Sequence, residues 1–219
     1  MREGESLKEL VEVMRRLLGE GGCPWDRAQT LETLRPYVVE EAFEVVDAID
    51  RGSRELLCEE LGDLLMQVVF CAELARAEGA FGIDDVVAGI RDKLVRRHPH
   101  VFGDARISGP GEALASWERI KAEEKKDRGV LEGIPVAMPA LARAVRVGEK
   151  AARVGYDWPD AAGVRAKIDE ELRELDACRS REEEERELGD LLFAIASWAR
   201  KRAIDPEAAL RRALDRFGA

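Results

Sequence analysis

The chain has 219 residues, of which 46% are hydrophobic and 5% aromatic, and its formal net charge is −10. This length allows one large or two small domains with a core, and the acidic balance argues against a nucleic-acid polymer as partner, because phosphate backbones need a basic face. The four cysteines lie far apart, and the two histidines, His98 and His100, complete no spacing typical of zinc. No apolar run approaches membrane-spanning length and no signal-peptide core is present, so a cytoplasmic protein is expected.

The first predicted helix covers residues 7–18, where apolar side chains follow helical spacing until Gly19. A loop at residues 21–26 follows, and it carries Trp25, which has no apolar neighbours at helical spacing. The Trp25 ring either plugs the end of the domain or stacks on a nucleobase, and the sequence favours neither interpretation.

An acidic helix is predicted next, over residues 38–49, with Pro36 in its first turn. One face of this helix gathers acids, namely Glu40, Glu41, Glu44 and Asp47. Like charges one turn apart destabilise an isolated helix by roughly 0.2–0.5 kcal/mol per pair. A bound cation explains such clustering better than solvation does, although solvated faces of acidic helices are the alternative.

A very apolar helix is predicted over residues 56–72, with Glu60, Asp63 and Gln67 aligned on one face. A short turn at residues 51–53 allows the two acidic helices to run antiparallel and to point their acids into one pocket. Carboxylate oxygens select Mg²⁺ or Mn²⁺ rather than zinc. The sequence therefore predicts a divalent-metal site between these helices.

A basic helix follows, predicted over residues 84–97, in which Lys93 and Arg97 are one turn apart. Cations beside a metal site suit a phosphate chain, although each of them equally suits the helix dipole. Beyond this helix we predict a loop at 103–112, a helix at 113–126 and a linker at 127–139 rich in glycine and proline.

The second half repeats the pattern of the first, with helices predicted at 140–153, 161–178, 183–202 and 206–217. Residues 187–192 match residues 60–65 letter for letter, and a repeat of this kind indicates two related units. Trp158 stands where Trp25 stood, and Lys167 partly replaces Arg97, which has no counterpart. We therefore predict an all-α fold of two helical domains, residues 1–126 and 140–219.

These features resemble the MazG family of nucleoside triphosphate pyrophosphohydrolases in its tandem two-domain form, over nearly the whole chain. The motifs that carry the resemblance are Gly22-Cys23-Pro24-Trp25-Asp26 with Gln29-Thr30, the acidic pairs at 40–44 with 60–63 and at 170–174 with 187–190, the segment 96–102, and Gly155-Tyr156-Asp157-Trp158.

The resemblance implies tandem four-helix-type domains that form a dimeric helical bundle. The apolar surface of residues 61–69, which is more than one short helical pair can cover, also predicts a homodimer. No membrane association is expected, because no apolar run is long enough to span a membrane. It implies hydrolysis of NTPs and dNTPs to the monophosphate and pyrophosphate, a house-cleaning of nucleotide pools, with Mg²⁺ as cofactor and Mn²⁺ as a substitute. The implied metal ligands are Glu41, Glu44, Glu60 and Asp63 in the first half, and Glu171, Glu174, Glu187 and Asp190 in the second.

The chemistry of the residues agrees with this expectation. Carboxylate-held metal lowers the pKa of a bound water, so no nucleophilic side chain is needed, and a carboxylate accepts the water's proton. The candidates for that catalytic role are Glu40, Glu41 and Glu170. The candidates for substrate binding are Trp25, Gln67, Lys93, Arg97, Trp158 and Lys167.

The chain departs from the family pattern at its end, where Leu214 replaces the asparagine of a final Asn-x-Lys-Phe-x-x-Arg-Phe motif and the family's tail is missing. On charge we therefore expect the first site to be the more complete one. The alternative is that Lys167, Arg211 or Arg212, or a partner subunit, completes the second site. The alternatives are a related all-α hydrolase of phosphoribosyl-ATP or dUTP, and a non-catalytic helical interaction protein without metal stabilisation. A di-iron bundle would need Glu-x-x-His pairs, which the chain does not have.

Overall fold

A computed structural model describes residues 5–124 and 129–218. Within these residues the regular structure consists of eleven helices and no strand, so the all-α prediction is confirmed. The chain divides into two compact units between Glu123 and Glu124. The predicted boundary at residue 126 and the first two residues of the predicted linker 127–139 lie outside the described residues, so the domain limits stay a prediction. In the described part, none of the helices combines the length and apolar character needed to cross a membrane.

Over its described residues, 5–123, the first unit consists of seven helices. They are α1 (Glu5–Leu18), α2 (Pro24–Arg27), α3 (Leu31–Arg51), α4 (Arg54–Ala77), α5 (Ile83–Arg97), α6 (Pro99–Phe102) and α7 (Pro110–Glu123). Helices α3 and α4 pack against each other along their length, α1 packs on α4, and α5 contacts α4 and α7. Side chains buried between α1, α3 and α4 form the core, among them Val11, Met14, Leu34, Val69 and Phe70.

Helix α3 begins at Leu31, well before the predicted residue 38, because a capping box precedes it. The Thr30 hydroxyl accepts a hydrogen bond from the Thr33 N–H at 3.3 Å, and the Thr33 hydroxyl accepts one from the Thr30 N–H at 2.8 Å. Pro36 therefore lies inside the helix, and the prediction that it occupies the first turn was wrong. Its missing N–H leaves one carbonyl of the previous turn without the usual intrahelical partner.

A tight turn joins α3 to α4. Gly52 adopts a left-handed backbone with φ 70°, which a residue without a Cβ accepts readily, and its N–H donates to the Ile49 carbonyl at 3.0 Å. The Ser53 hydroxyl then accepts from the Leu56 N–H at 3.2 Å and caps α4. The turn makes α3 and α4 an antiparallel hairpin, as predicted.

The second unit consists of α8 (Ala140–Arg153), α9 (Ala161–Ala177), α10 (Arg181–Lys201) and α11 (Pro206–Gly218). Helices α9 and α10 form its central hairpin, and α8 packs on α10 and α11. Its core is small and centres on Ile168, Leu191 and Ala194.

Ion pairs hold the loop between α8 and α9 against the end of α10. The Asp157 carboxylate pairs with the Arg200 guanidinium and lies 2.7 Å from the Lys201 ammonium, and Lys201 also donates to the Trp158 carbonyl. All three charged side chains are less than one-fifth exposed. These ion pairs and the hydrogen bond to the Trp158 carbonyl position Asp157 and Trp158 at the end of α10.

Candidate metal centres

The first acidic cluster lies between the helices of the α3–α4 hairpin. Glu41 on α3 and Glu60 and Asp63 on α4 each place a carboxylate oxygen within 4.8 Å of the others. Glu60 and Asp63 are one helical turn apart, so both face α3, and all three residues are half-buried. The structure thus brings together three of the four acids predicted for this half.

The carboxylates of the first cluster repel one another. Burial and the charges of Asp63 and Glu44 raise the pKa of the Glu41 carboxyl above its ordinary value. The hydrogen bond from Gln67 offsets only part of this rise. Burial and then the charge of Glu44 raise the pKa of Glu60 in the same way. A cation held among these oxygens would reverse the repulsion.

The second acidic cluster occupies the equivalent place in the α9–α10 hairpin. Glu171 on α9 and Glu187 and Asp190 on α10 place carboxylate oxygens within 4.8 Å of one another. Glu171 is only 3% exposed, and within the described ranges its Oε2 has no hydrogen-bond partner.

Two cations of the same unit contact this second cluster. The Lys167 ammonium lies 2.6 Å from Glu170 Oε1 and 2.8 Å from Glu171 Oε1, and these two hydrogen bonds raise the pKa of Lys167. Arg186 lies 2.6 Å from Glu187 Oε1. Sequence reasoning proposed Lys167 as a phosphate ligand and did not identify Arg186.

The donor chemistry of both clusters fits a hard divalent cation. All of the converging donors are carboxylate oxygens, which is the ligand set of magnesium, manganese and calcium sites. In the part of the chain that the structure describes, two buried oxygens in these regions, Gln67 Oε1 and Glu171 Oε2, have no hydrogen-bond partner, and buried polar atoms are normally satisfied.

Glu44 and Glu174, the other two predicted ligands, lie outside the groups of three. Glu44 is exposed, although its charge acts on both Glu41 and Glu60. Glu174 is exposed as well, and its backbone carbonyl accepts a hydrogen bond from the Cys178 thiol at 3.3 Å. Their role as ligands stays a prediction.

The two glutamates that precede the cluster residues differ in their surroundings. Glu40 is exposed on α3. Glu170 is held by Lys167, whose hydrogen bond and charge lower the pKa of the Glu170 carboxyl. The catalytic role predicted for Glu40, Glu41 and Glu170 stays a prediction.

The predicted phosphate ligands of the first unit lie on different elements. Gln67 is buried, and its Nε2 donates to Glu41 Oε1 over a long 3.4 Å. Lys93 is exposed on α5, whereas Arg97 is 9% exposed and its guanidinium lies 5.4 Å from the centre of the Trp117 ring. Sequence reasoning placed Trp117 on a helix but missed this cation–π contact, because no local spacing connects the two residues.

The two predicted base-stacking residues occupy different environments. Trp25 is 53% exposed, and its ring meets Tyr37 edge-on at 5.9 Å, so both interpretations of Trp25 stay open. Trp158 is half-buried and lines a cavity of about 400 Å³ together with Tyr156 and Phe193. An aromatic cavity of this size can admit a flat ring.

Comparison with known proteins shows similarity along most of the chain. The family model described as "MazG nucleotide pyrophosphohydrolase domain" matches residues 29–102. The chain is 48% identical over 216 residues to the nucleoside triphosphate pyrophosphohydrolase/pyrophosphatase MazG of Thermotoga maritima, covering 98% of this chain and 83% of that protein. It is 44% identical over 220 residues to the nucleoside triphosphate pyrophosphohydrolase of Escherichia coli K12, covering 96% and 84%. The crystal structure of a mazG-related protein from Thermotoga maritima aligns with a TM-score of 0.45 and 28% identity over 52% of this chain and 97% of that chain.

Proposed function

The chain belongs to the MazG family, and we propose that it is a nucleoside triphosphate pyrophosphohydrolase that splits NTPs and dNTPs into the monophosphate and pyrophosphate. The observation that carries this proposal is the gathering of Glu41, Glu60 and Asp63 within 4.8 Å, repeated in the second unit. The high identity to relatives with this activity in their names supports it. House-cleaning of nucleotide pools is the corresponding cellular role that we propose.

The proposed cofactor is Mg²⁺, with Mn²⁺ as a substitute. Glu41, Glu60 and Asp63 would hold it in the first unit, with Glu44 as a fourth ligand, because hard divalent cations prefer carboxylate oxygens. Their equivalents in the second unit are Glu171, Glu187, Asp190 and Glu174. When bound, the ion supplies a water of lowered pKa and neutralises phosphate oxygens.

The protein's own groups then move the proton and place the substrate. Glu40 and Glu41 are the proposed proton acceptors in the first unit, because a carboxylate beside the metal site can take the proton of the attacking water. In the second unit Glu170 is the proposed acceptor, and its ion pair with Lys167 makes it the weaker base.

The substrate's phosphates and base would contact separate side chains. Lys93 and Arg97 are proposed to receive the phosphate chain in the first unit, and Lys167 in the second, since a triphosphate carries more charge than its metal balances. Gln67 orients Glu41. Trp25 and Trp158 are proposed to stack on the base.

A homodimer in the cytoplasm is also part of the proposal. The α4 side chains Leu61, Leu65 and Val68 follow helical spacing and are 48%, 42% and 41% exposed, so a second copy would find an apolar stripe there. The four cysteines are free, which agrees with a reducing compartment.

The decisive experiment incubates the full chain with a panel of NTPs and dNTPs and Mg²⁺, and separates the products. We expect monophosphate plus pyrophosphate, and loss of hydrolysis when Glu60→Gln and Glu187→Gln are combined. The matched control is Glu9→Gln, an exposed α1 position, which should remain fully active. Diphosphate plus phosphate as products, or full activity of the double variant, would refute the proposal.

A further inference from the structure

The two acidic clusters contain matching carboxylates. They differ in the charge one helical turn before the glutamate on the first helix of each hairpin, which is Glu41 on α3 and Glu171 on α9. In the second unit this position holds Lys167, whose ammonium lies 2.8 Å from Oε1 of the buried Glu171. In the first unit the equivalent residue before Glu41 is Tyr37, a neutral side chain whose ring contacts Trp25. A cation therefore contacts the second cluster, whereas the equivalent sequence position before Glu41 carries no charge.

A second difference, which also makes the surroundings of the second cluster more positive, lies on the second helix of each hairpin, α10 and α4. Arg186 directly precedes Glu187 and contacts its carboxylate at 2.6 Å. The equivalent residue of the first unit is Glu59, which directly precedes Glu60 and repels its carboxylate. The charge is reversed between the repeats at this position.

A third difference concerns the hydrogen bond to the glutamate of the first hairpin helix. Glu41 accepts its bond from the neutral amide of Gln67, whereas the equivalent of Gln67 in the second unit is the buried, apolar Ala194. The partner of the buried Glu171 is therefore a charged ammonium, whereas the partner of the half-buried Glu41 is a neutral amide.

These differences change what a divalent ion meets. Three carboxylates carry three negative charges in each cluster. Lys167 and Arg186 lie against the second cluster, where Lys167 is shared with the carboxylate of Glu170. Glu44 and Glu59 add negative charge beside the first cluster. An incoming ion is repelled by Lys167 and Arg186. The Lys167 side chain is 35% exposed and the Arg186 side chain 68% exposed, so water screens Arg186 more than Lys167. The unpartnered Glu171 Oε2 remains available as a ligand atom.

We propose that Lys167 and Arg186 are built-in counter-cations that make the second cluster bind a divalent ion more weakly than the first, by at least about tenfold. The proposal rests on the proposed function, in which both clusters are metal sites. The first cluster takes up its ion without nucleotide. The second takes up its ion when the phosphate chain offers Lys167 an alternative partner.

The test is calorimetric titration of the nucleotide-free full chain with Mn²⁺. We expect two classes of site whose dissociation constants differ by at least about tenfold. Glu60→Gln should remove the tight class, and Glu187→Gln should remove the weak one.

Three further variants test the counter-cations themselves. Lys167→Met and Arg186→Glu should each tighten the weak class several-fold, Lys167→Arg should leave it weak, and Glu59→Arg should weaken the tight class. Arg186 and Glu59 are exposed, so their replacement leaves folding intact, which circular dichroism checks.

The outcomes separate this inference from the function on which it rests. Two Mn²⁺ classes that are unchanged by Lys167→Met, Arg186→Glu and Glu59→Arg would overturn the counter-cation role and leave the metal sites standing. Equal affinities of the two clusters in the unaltered chain would overturn it as well. Absence of Mn²⁺ binding, or binding that survives the combined Glu60→Gln and Glu187→Gln changes, would refute the metal sites themselves.

Discussion

Replacing Glu73 by glutamine removes a buried charge that links α1 to α4. Glu73 is 2% exposed, and its two carboxylate oxygens accept hydrogen bonds from Arg15 at 3.0 and 3.1 Å and from Arg76 at 2.6 Å. Both arginines are about half exposed, at 48% and 50%. The variant therefore keeps the shape of the side chain, loses its charge, and leaves two guanidinium groups that water can still solvate.

The magnitude follows from these contacts. Breaking a buried ion pair costs roughly 3–5 kcal/mol, and a hydrogen bond to a charged group contributes about 1.5–3 kcal/mol. Because the half-exposed arginines regain water, we expect Glu73→Gln to lower the free energy of unfolding by about 2–3 kcal/mol at pH 7.

The loss should depend on pH. Burial alone raises the pKa of Glu73, but the hydrogen bonds from Arg15 and Arg76 outweigh it and hold that pKa below its ordinary value. Such a carboxylate stabilises the fold fully above its unfolded pKa of about 4.3, and the stabilisation is lost as pH falls through the folded pKa. The gap between the two proteins should be constant from pH 7 to about 5.5 and should shrink toward pH 3.

Urea unfolding followed by circular dichroism at pH 7, 5.5 and 3 measures this gap, with Glu9→Gln on the exposed face of α1 as control. An equal gap at all three pH values would show that lost packing, rather than lost charge, destabilises the variant. A variant as stable as the unaltered protein at pH 7 would refute the reasoning altogether.

Three other predictions concern different parts of the molecule. Asp157→Asn should lower the melting temperature of the second unit, because the variant loses the charge that pairs with Arg200 and Lys201. Burial raises the pKa of Asp157, but the hydrogen bonds from these two residues outweigh burial and hold that pKa below its ordinary value. A melting temperature equal to that of the unaltered chain would contradict this. Light scattering at micromolar concentration should give about twice the 24.4 kDa monomer mass, and Leu65→Asp should halve it; a monomeric unaltered chain contradicts the homodimer. Assayed separately, Glu60→Gln should reduce hydrolysis by at least about tenfold and more than Glu187→Gln does, and loss with Glu187→Gln alone would reverse this ranking of the two sites.

Local periodicity was sufficient to predict most of the helices and the gathering of acids. Spacing of one turn placed Glu60 and Asp63 on one face, and the short turn after α3 brought Glu41 opposite them. The predicted start of α3 is wrong because a proline favours the first turn of a helix. Thr30 and Thr33, six and three residues before Pro36, carry the capping signal that sets the true start.

Contacts between residues distant in sequence were not predictable from spacing. Arg15 and Glu73 are 58 residues apart, and Asp157 and Arg200 are 43 apart, so no helical period connects either pair. Arg186 was missed for a different reason, since neighbours in a helix ordinarily point in different directions, yet its long side chain returns to Glu187.

The α3–α4 and α9–α10 hairpins differ in the length of their first helix, yet each gathers the same three acids. Seven residues of α3 follow Glu44, but only three of α9 follow Glu174, while the second hairpin has one more residue in its turn. The difference between these two helix ends is four residues, which is close to the 3.6 residues of one helical turn. Helix α9 therefore turns the same face toward α10 as α3 turns toward α4. Insertions and deletions near these turns are therefore expected to be accepted in steps of a whole turn, whereas a single added residue would rotate the ligands about 100° out of register.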